Sequence, residues 1–185
     1  MKKIVHFTLM LLCVLAVSSC KDDKDEVIDE TYKLENEAAF QEKLNDHTYT
    51  KWNSPANNGF VLAKQIKEGT GKQVYYNSRI SVYYKGSLID GTVFDSNLEE
   101  DTSIPFRCAV SSAYANYDRT YNPTGYTSVI AGWTVALQHM KEGDKWEVWV
   151  PQELGYGVAG YGSIKPYATL IFEIEVASVD EQAVS

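Results

Sequence analysis

Gly155-Tyr156-Gly157-Val158-Ala159-Gly160 spells the G-x-G-x-x-G turn that cradles a dinucleotide phosphate. Its context argues against that use. Ser163-Ile164-Lys165-Pro166 follows where a phosphate-binding helix should start, and no parallel βαβ unit surrounds it. Other reactive side chains are no better placed. His47 and His139 lack a paired-ligand spacing, so no metal site is expected and both are assigned solvent-facing polar roles. There is no G-x-S-x-G nucleophile elbow and no cysteine set beside an activating histidine. Glu99-Glu100-Asp101 lies in a polar stretch and reads as a solvated turn rather than an acid/base pair.

What the chain offers instead is apolar and aromatic surface, in the segments ISVYYKGSLIDGTVFDS, PFRCAV, VIAGWTVALQHMKEGDKWEVWVP, LGYG and ATLIFEIEV between Ile80 and Val176. Few of these side chains can attack a substrate. Such a set points to a pocket that binds and strains its ligand without bonding to it.

The elements that must hold this set follow from periodicity. Phe60 to Ile66 reads as a strand closed by Glu68-Gly69-Thr70-Gly71. Arg79 to Leu88 alternates, with Ile80, Val82, Tyr84, Gly86 and Leu88 on one face, and Asp90-Gly91 turns the chain into Thr92 to Ser96. Ile130, Trp133, Leu137 and Met140 recur at helical spacing, with Gly143 as the stop. Trp146, Val148 and Val150 alternate with Glu147 and Trp149, and Ala168 to Val179 puts Leu170, Phe172, Ile174 and Val176 on one face. The expected architecture is α+β, one short helix packed on an antiparallel sheet of five or six strands. Upstream, Leu34, Ala38, Phe40 and Leu44 predict an amphipathic helix within Thr31 to His47, followed by a loop from Asn45 to Asn58.

A chain of 185 residues is long enough for one domain plus appendages. Lys2 and Lys3 precede an apolar run from Ile4 to Val17, too short to span a bilayer, so residues 1–19 are read as a secretory signal. The run ends in Val17-Ser18-Ser19-Cys20, which resembles the lipobox of bacterial lipoproteins. That resemblance implies lipid on Cys20 and membrane attachment without a spanning helix. Lys21-Asp22-Asp23-Lys24-Asp25-Glu26 reads as a solvated tether; it also resembles the export signals of some Gram-negative surface lipoproteins, favouring the outer membrane. With a net charge of −8, made more negative by loss of the leader's lysines, the chain should repel nucleic acid. Cys13 leaves with the leader and Cys20 carries lipid, so Cys108 remains alone and no disulfide framework is expected. The layout is then signal peptide 1–19, tether and helix 20–58, a folded domain 59–180 and a tail 181–185.

Several motifs in register resemble the FKBP-type peptidyl-prolyl cis/trans isomerases. They are Tyr84-Lys85-Gly86, Asp90 to Ser96 (DGTVFDS), Pro105-Phe106, Val129-Ile130-Ala131-Gly132-Trp133, Tyr156-Gly157 and Ala168 to Phe172 (ATLIF). The resemblance runs from about Gly59 to Val179. It implies a half-open antiparallel sheet wrapped around one helix, here with an N-terminal helical extension, and no cofactor. Trp133 would floor the cavity. Tyr84, Phe94, Phe106, Val129, Ile130, Tyr156 and Phe172 would wall it, Ile164 would offer its backbone N–H to a substrate carbonyl, and Asp95 would supply the one nearby charge. Tyr84, Asp95, Trp133 and Tyr156 are thus implied as catalytic, with Phe94, Phe106, Val129, Ile130, Ile164 and Phe172 as substrate-binding.

The chemistry suits that inventory. Rotating an X-Pro bond crosses roughly 18–20 kcal/mol because it destroys amide resonance, yet no bond is made or broken. A dry aromatic pocket favours the twisted amide, and Tyr156 and the Ile164 amide can hold substrate carbonyls. The implied activity is isomerisation of proline-containing polypeptides in the cell envelope, helping exported proteins fold. The alternative is a catalytically weak proline-binding module or chaperone. Three residues depart from the family's pattern: Cys108 replaces an aromatic of P-F-x-F, Lys165 the first proline of I-P-P, and Ser163 a hydrophobic rim residue; Cys108, Ser163 and the tyrosine-rich segment support that alternative. The tyrosine-rich segment from Ala109 to Ser128 is longer than the family's usual connection and is expected to lie over the cavity, narrowing or extending the binding surface.

Overall fold

A computed structural model describes residues 29–98, 104–118 and 120–182. The leader, Cys20, the charge run and Glu99-Glu100-Asp101 lie outside the described residues. No described helix is long and apolar enough to cross a membrane.

The chain forms helix α1 (Glu30–Leu44), strands β1 (Thr50–Asn53), β2 (Phe60–Lys67), β3 (Ser78–Ser87), β4 (Val93–Ser96), β5 (Phe106–Ala109) and β6 (Thr127–Ser128), helix α2 (Ala131–Leu137), and strands β7 (Lys145–Val150) and β8 (Leu170–Gln182). The strands make one sheet in the order β1-β2-β7-β8-β3-β5-β6, with β4 also paired to β3. Every pairing is antiparallel except β5 with β6, which is parallel. The expected α+β class holds, but the sheet is mixed and has more strands than the alternation suggested.

The central pair, β3 and β8, runs from Ser78 opposite Gln182 to Ser87 opposite Ile171. Leu170, Ile174 and Val176 are fully buried and Phe172 nearly so, with the intervening positions more open, as period-two alternation requires. The sheet curls over α2, in which Gly132, Trp133, Val135, Ala136 and Leu137 are all buried. A Cβ on Gly132 would lie 2.4 Å from Val150, so glycine there lets the helix seat directly on β7.

Several boundaries differ from expectation. The predicted loop after α1 contains β1, because Thr50–Asn53 pairs along the free edge of β2. Helix α2 ends at Leu137, well before Gly143, with His139 and Met140 donating to Ala136 and Leu137 carbonyls at 3.0 Å in a tightened last turn. Gly143 instead takes φ +90° in the turn before β7. Strand β8 continues to Gln182, past the domain boundary drawn at residue 180. His139 is not simply solvated: it stacks on Trp52 with ring centroids 3.7 Å apart, and burial lowers its pKa.

The extension packs by a different face than its leucines indicated. Leu34 is 60% exposed and Leu44 37%, whereas Asn36 and Phe40 are buried. Phe40 joins Leu62 and Trp149 in a second small core on the outer face of the sheet. Asn36 is tied to Thr169: its Oδ1 accepts from the Thr169 N–H at 2.8 Å and its C=O from the Thr169 hydroxyl at 3.2 Å. A buried polar residue satisfied in this way is indifferent to the hydrophobic pattern that periodicity detects.

Candidate active site

Elements from most of the chain converge on one cavity of about 130 Å³. Strand β3 brings Tyr84, β4 Phe94 and Asp95, β5 Phe106, and β8 Phe172. Ser128, Val129 and Ile130 lead into α2, which brings Trp133, and the glycine-rich turn after β7 brings Tyr156. Trp133 is only 4% exposed and is the hub. Tyr84 and Phe172 each meet it edge to face with centroids 5.3 Å away, and Phe106 does so at 6.5 Å. Phe94 stands edge-on to Phe172 at 5.6 Å. Such crossed rings suit the quadrupoles of aromatic pairs and fix the walls without filling the space between them. Gly86 makes the approach possible, since a Cβ there would lie 2.6 Å from Phe94 and 2.9 Å from Phe172.

Polar groups are few and sit at the rim. The Tyr84 hydroxyl donates to Asp95 Oδ2 at 2.6 Å. Burial, then the hydrogen bond to Asp95 and its charge, pushes the Tyr84 phenol far above its ordinary range, so Tyr84 remains a proton donor. Tyr156 is also raised, chiefly by burial, and stacks on Tyr161 with centroids 5.0 Å apart. Its hydroxyl has no protein partner among the described residues, and neither has the buried Trp133 Nε1.

Ile164 does not line the cavity. Its side chain is buried in the main core, and its N–H already donates to the Tyr161 carbonyl at 2.9 Å in a tight reciprocal bridge. The expected role for that amide is therefore corrected: the donor is consumed by the chain's own turn. The Ile130 N–H, at the wall and just before α2, has no acceptor among the described residues. Sequence reasoning placed Ile130 in the wall but missed this amide, whose signal is its position one residue before a helix, where N–H groups lack intrahelical partners. Ser128 was missed as well; it directly precedes Val129 and Ile130.

The FKBP-type peptidyl-prolyl cis-trans isomerase family model matches residues 71–177. The chain belongs to that family. It is 37% identical over 123 residues to the macrophage infectivity potentiator of Trypanosoma cruzi, covering 65% of this chain and 54% of that one. It is 41% identical over 121 residues to outer membrane protein MIP of Legionella longbeachae, covering 65% and 44%. The chain thus spans about half the length of these relatives. A crystal structure of a peptidyl-prolyl cis-trans isomerase from Pseudomonas syringae pv. tomato superposes with a TM-score of 0.63 at 27% identity, covering 82% of this chain and 96% of that one.

Set within the FKBP-type fold, the departures near the pocket prove to lie elsewhere. Cys108 is fully buried in the core between Ile80 and Thr127, and burial raises its thiol pKa well above the usual range. Ser163 and Lys165 are exposed and line no part of the cavity. The Lys165 ammonium reaches back to Asp29, the N-cap of α1, at 3.4 Å and lies 4.9 Å over the Tyr32 ring. The long segment does not cover the cavity either: of its described residues Ser128, at its end, reaches the wall, and the others are not part of the lining.

Proposed function

We propose that the chain is a peptidyl-prolyl cis/trans isomerase acting on proline-containing polypeptides, without a cofactor. The observation that carries the reading is the ring of aromatic walls around Trp133, rimmed by donors that the chain leaves unused. The apolar floor seats the proline ring. As the X-Pro amide twists, its resonance is lost and its carbonyl becomes less polar, so a dry aromatic surround favours the twisted form over the planar one. The Tyr156 hydroxyl and the Ile130 N–H hold substrate carbonyls in place of the committed Ile164 amide. Asp95 fixes Tyr84 through its hydrogen bond and keeps one negative charge at the mouth. Each step is binding and orientation; no proton or nucleophile is transferred.

The site of action in this reading is the cell envelope, where the protein helps exported chains fold, held at the outer membrane by lipid on Cys20. The apolar leader, the Cys20 context and the name of the Legionella longbeachae relative, outer membrane protein MIP, support it. Labelled palmitate incorporated by the wild type and absent from Cys20→Ala is the expected result; label retained by that variant excludes the anchor.

Activity itself is tested with a protease-coupled proline tetrapeptide assay on the full chain. Accelerated conversion of the cis fraction is expected. Binding without acceleration would favour the proline-binding module instead, although Cys108 and Ser163, two of the features that had supported that alternative, do not line the cavity.

A further inference from the structure

Beside the cavity lies a second hollow of about 460 Å³, walled on one side by Tyr84 and Phe106 and on the other by Tyr117, Pro123, Thr124 and Gly125 of the long segment. The two share Tyr84 and Phe106, so one surface continues from the proline pocket into the hollow. Ile104 and Tyr117 present apolar surface along it, 78% and 48% exposed.

The wall is braced rather than loose. Arg107 donates to the Thr124 carbonyl at 2.5 Å and to the Tyr126 hydroxyl at 2.7 Å, and its guanidinium lies 4.3 Å over the Tyr126 ring. Arg79 donates to the Tyr114 carbonyl at 2.9 Å. Asn116 Oδ1 accepts from the Tyr126 N–H at 2.7 Å, while Asn122 Nδ2 donates to the Asn116 carbonyl at 2.7 Å. Tyr126 is buried at 6% exposure and anchors the whole excursion. A long connection held by this many side-chain bonds is already in shape before a ligand arrives, which reduces the ordering cost of binding.

We infer that this hollow is an extended substrate subsite that takes an apolar or aromatic side chain of the polypeptide flanking the proline. The inference rests on the isomerase reading of the adjoining cavity. Its occupant is set by continuity: a chain whose proline fills a cavity of about 130 Å³ must leave across Tyr84 and Phe106 or away from them, and the first path runs into the larger hollow. The surface there is largely apolar, and two of the five Arg107 N–H donors are held by the Thr124 carbonyl and the Tyr126 hydroxyl. The exposed apolar surface of Ile104 and Tyr117 makes side-chain bulk the feature the subsite selects.

The test uses the full chain with three peptides: a proline tetrapeptide, and the same peptide lengthened by three residues containing Leu and Phe at its N-terminal or its C-terminal end. Turnover and, by fluorescence anisotropy, affinity are measured for wild type and for the Ile104→Ala/Tyr117→Ala double variant. Both residues are exposed and outside the cavity, so short-peptide values should stay at the wild-type level. At least one lengthened peptide should gain about tenfold in kcat/KM and in affinity with the wild type. The double variant should lose that gain, and lengthening with Ser and Gly should produce none. Equal affinity for short and long peptides, or a gain that survives in the variant, overturns the subsite. If the wild type turns over nothing, the isomerase reading fails separately, and the affinity comparison still decides the groove.

Discussion

The cavity around Trp133 and the contact beneath α1 are both rich in aromatic side chains, yet their polar atoms are used in opposite ways. Under α1, Asn36 and Thr169 satisfy each other, and Glu147 accepts from both the Tyr49 hydroxyl and the Trp149 indole. Among the described residues the buried side-chain donors without a partner are the Tyr32 hydroxyl and the Trp52, Trp133 and Trp146 indoles, of which only Trp133 lines the cavity. Around the cavity, the Tyr156 hydroxyl, the Ile130 N–H and Trp133 Nε1 are left unpaired at or beside open space. What sets the cavity apart is that its free donors, the Tyr156 hydroxyl and the Ile130 N–H, stand at a wall that a ligand carbonyl can reach. The first region holds the chain to itself, and the second leaves donors free at its wall.

Substitutions should separate the two regions. Trp133→Ala should have the largest effect: it removes the floor and part of the core, lowering kcat/KM about a hundredfold or more and costing about 3–5 kcal/mol of stability in urea unfolding. Asn36→Ala should cost about 2 kcal/mol of stability by stranding the Thr169 N–H, while kcat/KM of the folded fraction stays within about twofold. A loss of turnover in Asn36→Ala beyond its unfolded fraction would break the division between the regions. Tyr156→Phe should do the reverse, lowering turnover about tenfold with stability changed by less than about 0.5 kcal/mol.

The smallest effect concerns pH. The folded-state pKa of Tyr84 is raised, chiefly by burial, so its stabilising contribution is complete below the unfolded phenol value of about 10 and is lost as pH rises above that. The stability gap between wild type and Tyr84→Phe should therefore narrow above about pH 10 in denaturant titrations. Between pH 7 and 9 it should be flat.

Much of the cavity was legible through the resemblance to the FKBP-type isomerases, and the elements that carry its walls have strong local signals. Tyr84 and Phe172 sit in strands of clean alternation, and Phe94 follows an Asp90-Gly91 turn in which Gly91 takes φ +85°. Ile164 misled because a backbone donor's commitment is settled by turn geometry, here the reciprocal bridge to Tyr161, and its side chain says nothing of it. Strand β1 was hidden because Thr50-Lys51-Trp52-Asn53 is largely exposed and owes its conformation to pairing with β2. The face of α1 was hidden because Asn36, not Leu34, is its buried centre. Trp149 looked like an outward position of β7 and is covered only because α1 returns over it.

The central claim is that the cavity lowers the barrier to prolyl rotation, and exchange NMR of a proline tetrapeptide with catalytic amounts of the full chain tests it most directly. Uncatalysed cis/trans exchange takes tens of seconds or longer at 25 °C. With the wild type, cross-peaks between cis and trans resonances should appear within seconds, and Tyr156→Phe should slow their growth about tenfold. Peptide resonances that broaden or shift on binding while cis and trans still exchange at the uncatalysed rate would contradict it.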